Sequence, residues 1–148
     1  MTIDGLCERH RRVAFDANVF VHLFESTGHL AAAAIAVVNA VSARRLTGVV
    51  SAVAMAEVIV RPVRIGDDAM GERYADAIRS IENLDVVPVT FEIAAEAGFV
   101  RGRTSLTLAD AVHVATARVA GASAFVTNDR RLRSIPKLDV VQLADIVA

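Results

Sequence analysis

Four acidic residues, Asp16, Glu57, Asp110 and Asp129, each interrupt or end a segment that is otherwise apolar. Glu57 is the only charge between Ala52 and Val60, Asp110 falls in the first turn of an apolar helix, and Asp129 follows a short apolar run. Buried carboxylates are unfavourable unless they are paired or hold a cation. Taken singly, each has an ordinary structural explanation. Asp16 is placed to cap the helix that follows it, and Glu57 to stand on the exposed side of its helix. Asp110, three residues after Thr107, is placed to complete a capping box, and Asp129 to open a turn. Four such acids in like settings are harder to explain one by one, and they point to a shared cation site. Oxygen donors, with no Cys-based cluster and no paired His spacing, select Mg²⁺ or Mn²⁺. Ions of this kind keep waters and leave room for a phosphate-bearing substrate. One or two of them activate water and stabilise the leaving oxygen of a phosphodiester. They also reverse the repulsion between carboxylates and a polyanion.

The elements that must position these acids are legible as alternating strands and helices. Thr107–Asp129, TLADAVHVATARVAGASAFVTND, predicts a helix broken at Gly121, then a strand, Ala124 to Val126, ending in Thr127, Asn128 and Asp129. Most of that helix's circumference is apolar, which makes it a buried helix. Val13–Phe15 predicts a strand running into Asp16, followed by a short helix from Val19 to Glu25 and an Ala-rich one from His29 to Leu46, closed by Gly48. Val49-Val50 predicts the next strand, with Ser51 capping a helix that reaches Val60 and that Pro62 stops. Asp67–Leu84 reads as a helix with a charged, solvated face, and Asp85–Val89 as a strand whose Pro88 marks an edge or a strand end. Phe91–Val100 reads as an amphipathic helix with Glu92 and Glu96 toward solvent. A polar loop over Arg101–Ser105 follows, and Leu138–Gln142 is the last strand. Met1–Arg12 shows no periodicity and is expected to be irregular. The alternation implies an α/β sandwich with a mainly parallel central sheet flanked by helices, in which ligands gather beyond the C-terminal strand ends.

At 148 residues and 54% apolar composition the chain fits one domain, 1–148, with a substantial core. The longest apolar stretch, Leu30 to Val41, is about twelve residues and contains Asn39, too short for a membrane span. The arginine-bearing N-terminus lacks the apolar segment of a signal peptide. A lone cysteine, Cys7, forms no internal disulfide. A cytoplasmic protein is expected. A net charge of −1 argues against a broad basic nucleic-acid surface. The fifteen arginines against a single lysine, Lys137, fit an arginine-rich codon bias as well as phosphate recognition.

Phe15-Asp16-Ala17-Asn18-Val19, Ser51 through Glu57, Leu108-Ala109-Asp110-Ala111 with Ala115 and Ala117, and Val126-Thr127-Asn128-Asp129 occur in this order. With that order, spacing and total length, nearly the whole chain resembles the PIN-domain ribonucleases, specifically the VapC-type toxins of bacterial type II toxin–antitoxin pairs. The resemblance implies a PIN-like three-layer sandwich and a Mg²⁺- or Mn²⁺-dependent endoribonuclease. It implies Asp16, Glu57, Asp110 and Asp129 as catalytic metal-binding acids, with Asn18 and Thr127 as polar supports behind them. It further implies an RNA substrate, a homodimer and a cognate antitoxin. Leu132 departs from the pattern, standing near where many relatives carry an aromatic, and is expected to pack. Arg130, Arg131 and Arg133 are placed either to hold RNA phosphates or to pair with nearby acids. His113 is expected to be a helix-face histidine, since the acids suffice to activate water.

Other readings compete. A signalling receiver domain shares the short α/β design and an acidic Mg²⁺ pocket. It needs a phospho-accepting Asp ending its central strand, whereas Val49-Val50 ends in Ser51 and Asp85 begins its strand. A PIN-like module that only binds a partner, and a PIN nuclease of RNA maturation, are the remaining alternatives.

Overall fold

The computed structural model describes residues Met1–Ala148. Five strands, β1 (Arg12–Phe15), β2 (Thr47–Ser51), β3 (Leu84–Val87), β4 (Ala124–Thr127) and β5 (Asp139–Gln142), form one sheet in the order β3-β2-β1-β4-β5. Every pairing is parallel. Helices α1 (Ile3–Arg9), α2 (Ala17–Glu25), α3 (Gly28–Ser42), α4 (Val53–Arg64), α5 (Asp68–Arg79), α6 (Phe91–Arg103) and α7 (Leu108–Val119) supply the connections, and a 3₁₀ turn at Leu143–Asp145 ends the fold.

The three layers follow from strand alternation. Val13 and Phe15 of β1 point into a core with α1–α5, while Ala14 between them points into a second core with α6 and α7. Val50 and Val49 divide in the same way, as do Val126 and Phe125. A sheet covered on both faces requires near-continuous apolar strands, and AFVT in β4 is buried throughout. No single helix is long and apolar enough to cross a membrane.

The chain leaves β1 for β2 on one side and later returns to β4 on the other. β1 is therefore the strand at which the winding direction reverses, and a crevice opens beyond its C-terminal end. Phe15 is in register with Val50 and Val126, so Asp16 emerges beside Ser51 and Thr127.

Several local expectations are corrected. Met1–Arg12 is not irregular: Ile3–Arg9 is a helix whose N-cap Thr2 accepts from the Gly5 N–H at 3.0 Å, with Leu6 fully buried and Ile3 and Cys7 packed against the core. The repeat at 3, 6 and 7 is one turn long, too short to register as periodicity. Pro62 does not stop α4. It forfeits one N–H in the final turn, the helix continues to Arg64, and Gly66 at φ +84° ends it. Gly48 does not close α3 either. Arg44 takes the left-handed position at φ +61°, and the Arg44 and Arg45 N–H groups donate to the Val41 and Ala40 carbonyls. The helix expected over Asp67–Leu84 ends at Arg79, with Asp67 as its cap, because Leu84 is needed as the first residue of β3 opposite Gly48. β3 is an edge strand, as Pro88 implied. Arg101–Arg103 form the last turn of α6 and not a loop, and Glu96, 35% exposed, pairs with Arg118 (3.1 Å) at the solvent edge.

Gly48 sits inside β2 because nothing larger fits. A Cβ there would lie 2.8 Å from Leu84 Cδ1, 3.0 Å from Val41 Cγ1 and 3.1 Å from Phe15 Cε2. Gly48→Ala is expected to destabilise by about 1–3 kcal/mol, the usual cost of overpacking. Urea unfolding measures it, and an unchanged midpoint would contradict this account of the β2–β3–α3 contact.

Candidate active site

Asp16 occupies the N-cap position of α2, yet its carboxylate makes no capping bond. It turns across the sheet end. Its Oδ2 accepts from Thr127 Oγ1 at 2.7 Å and from Asn18 Nδ2 at 3.1 Å, and its Oδ1 takes no bond from the protein. Asn18 also donates to Thr127 Oγ1 (3.3 Å) and accepts from the Asn128 N–H (3.0 Å), tying the start of α2 to the end of β4. Thr127 in turn accepts from the Asp129 N–H at 3.0 Å. The two residues implied as supports therefore both touch Asp16.

Glu57, on the second turn of α4, accepts from His113 Nε2 at 2.6 Å. His113 lies three residues after Asp110, on the same stripe of α7, and its side chain is wholly buried. Its Nδ1 is buried without a partner. The expectation of a plain helix-face histidine is corrected: His113 faces inward and anchors Glu57. The only sequence signal was a polar residue at i+3 from an acid on an apolar helix. Asp110 does not close a capping box. Thr107 Oγ1 accepts from its N–H at 3.2 Å, but its carboxylate is directed elsewhere, 3.7 Å from Arg131 Nη2. Asp129 is gripped by that same guanidinium, at 2.5 Å from Nη2.

The electrostatics show which groups share a site. Burial raises the Asp16 carboxyl above the ordinary aspartate range, and the charges of Asp110 and Glu57 push it further, against the opposing pull of His113 and Thr127. For His113, burial favours the neutral ring. The hydrogen bond to Glu57 and the charges of Asp16, Glu57 and Asp110 outweigh it, so its value is raised. Asp129 is lowered, chiefly by its hydrogen bond from Arg131. Asp16 thus feels the charges of Glu57 and Asp110, and Arg131 those of Asp129, Asp110 and Asp16.

A divalent cation fits this donor set. The oxygens are hard, one carboxyl is held back from ionising by burial and like charge, and Asp16 Oδ1 is free. As the side chains stand, no three of them converge closely enough to hold an ion. Arg130 and Arg133 touch no acid. Both are exposed, and Arg133 Nε donates to the Arg130 carbonyl at 3.0 Å. Leu132 packs in the core, 3% exposed. The larger cavity, about 1030 Å³, lies between α6, α7 and Leu132–Leu138; Arg131 lines it, and none of the four acids does.

The PIN domain family model matches residues 13–138. No curated protein matches the sequence significantly. Among solved structures, VapBC2 of Rickettsia felis, bound to a DNA fragment from its promoter, superimposes with a TM-score of 0.72 at 15% identity, covering 88% of this chain and 98% of that one. DNA-bound VapBC of Salmonella typhimurium gives 0.67 at 16% identity, covering 90% and 98%. VapC20 of Mycobacterium tuberculosis, described as a sarcin–ricin loop cleaving toxin, gives 0.61 at 16% identity, covering 76% and 86%. At these identities the likeness is one of fold.

The raised values have a consequence for stability. Asp16 and His113 both bind protons more tightly in the folded protein than in the unfolded chain. Metal-free stability therefore falls as pH rises. The contribution is fully present below the unfolded-state values, about 3.9 for Asp and about 6.5 for His, and it is lost above the raised folded ones. In EDTA, Asp16→Asn is expected to flatten this slope and to raise Tm by a few degrees, since about 1 kcal/mol corresponds to about 2–4 °C at this size. Thermal melts from pH 5 to 8 measure both; a lower Tm with an unaltered slope would count against the charge-burial account.

Proposed function

The chain belongs to the PIN domain family, and from that premise we propose that it is a divalent-metal-dependent endoribonuclease of VapC type, the toxin of a toxin–antitoxin pair. The observation that carries the reading is the buried Asp16 carboxyl at the end of β1, which burial and the charges of Asp110 and Glu57 hold back from ionising. The VapBC and VapC folds among the structural relatives support the toxin assignment, and the one described as cleaving the sarcin–ricin loop supports RNA as the substrate. Family membership leaves no place for a receiver domain.

In this reading residues 1–148 act as one PIN-like unit in the cytoplasm, paired as a homodimer and held silent by a cognate antitoxin. Asp16, Asp110, Glu57 and Asp129 would hold Mg²⁺ or Mn²⁺, which supplies water activation and neutralises charge at the scissile phosphate. The chain's own residues prepare the site. Thr127 and Asn18 fix Asp16 through one oxygen and leave the other facing the crevice. His113 sets the direction of Glu57. The apolar helix α7 and strand β4 exclude bulk water behind the acids, which strengthens every charge interaction in front of them.

Purified protein with RNA and Mn²⁺ or Mg²⁺ tests the proposal. Wild type is expected to cut and to stop in EDTA, and Asp16→Asn to be inactive. Thr127→Val is expected to lose about 10–100-fold, the usual effect of removing a group that orients a metal ligand. An Asp16→Asn variant with full, metal-dependent cleavage would sink the reading. A wild type without cleavage on any RNA, total RNA of its source included, would favour a PIN-like binding module.

A further inference from the structure

We propose that Arg131 is a tethered counter-cation that closes the acidic site in the metal-free protein and must let go of Asp129 before a divalent ion can be held there. The inference rests on the metal-dependent reading above.

Its warrant is that both oxygens of Asp129 are already committed. Oδ1 accepts from the Arg131 backbone N–H at 2.9 Å and from Nε at 3.0 Å, and Oδ2 accepts from Nε at 3.0 Å and from Nη2 at 2.5 Å. The same Nη2 stands 3.7 Å from Asp110 Oδ2. One guanidinium therefore bridges the acid that follows β4 and the acid that opens α7, across the place where their lone pairs would have to meet an ion. This accounts for a cluster in which no three acids converge.

The contact is built to open. Asp110 and Asp129 are mostly buried, at 15% and 18% side-chain exposure, whereas Arg131 is 72% exposed. Buried Leu132 holds the backbone, so the side chain can swing out without disturbing the core. The partners are two residues apart, so the pair costs little chain entropy to form and is always at hand to re-form. Arg130 and Arg133, on the same turn, make no such contact. The bidentate fork is what distinguishes Arg131 from a nearby positive charge. A monovalent guanidinium and a divalent ion compete for the same two carboxylates, and the doubly charged partner gains more from each.

Calorimetric titration of the metal-free chain with Mn²⁺ tests this, with the fold of each variant checked by circular dichroism. Arg131→Gln is expected to bind Mn²⁺ roughly two- to fivefold more tightly than wild type, the upper part of the range of one exposed ion pair. Arg131→Lys, which keeps the charge and loses the fork, is expected to fall between the two. Arg133→Gln is the control for bulk charge and is expected to change affinity by less than about twofold. Equal or weaker binding by Arg131→Gln overturns the proposal, as does an equal gain in Arg133→Gln, which would reduce the effect to long-range charge. If neither wild type nor Arg131→Gln binds Mn²⁺, the metal-dependent reading itself fails, an outcome distinct from the other two.

Discussion

The structure turns on one buried carboxyl. Asp16 is only 4% exposed and stands at the end of the central strand, with Glu57 and Asp110 close enough to oppose its ionisation. A charge in that position is costly without fixed dipoles around it. The dipoles come from Thr127 and Asn18, both bonded to Oδ2 and to each other. Because Asn18 also accepts from the Asn128 N–H, the bonds that hold Asp16 join α2 to β4. The site and the sheet end are one hydrogen-bonded unit.

Parallel winding makes this arrangement possible. β1 pairs with β2 on one side and β4 on the other, and the reversal there leaves a crevice that no crossover covers. The helices that begin nearest that end, α2, α4 and α7, carry Asn18, Glu57 and Asp110 in their first two turns. Each acid has a local stabiliser in the metal-free protein: hydroxyl and amide groups for Asp16, His113 for Glu57, and Arg131 for Asp129 and, at longer range, Asp110. Even so partnered, the gathered acids still oppose the ionisation of Asp16.

Much of the fold was legible because apolar strands and buried helices are properties of contiguous residues. AFV and VAF read as strands, and Pro88 marked β3 as an edge or a strand end, of which the sheet order shows the edge. The misreadings share a physical cause. Pro62 and Gly48 are read by residue type, whereas the outcome depends on which carbonyls and side chains lie opposite. Pro62 forfeited a single bond near a helix end, Gly48 made room for Leu84, Val41 and Phe15, and an arginine took the left-handed position usually given to glycine. α1 was missed because seven residues hold barely one repeat of its apolar stripe.

The acids stand out in the chain itself, because a carboxylate in an apolar segment is conspicuous whatever that segment packs against. The alternation that builds the sheet is visible for the same reason: both are local patterns, read within a few residues. How the acids are partnered is set by packing between distant elements. His113 meets Glu57 across 56 residues, Thr127 meets Asp16 across 111, and Arg131 reaches across to Asp110 while Arg130 and Arg133 touch no acid. Those contacts depend on strand register, on the way α4 packs against α7, and on the turn after β4. A side chain's reach is a few ångströms, so none of these pairs exists until the elements have been brought together.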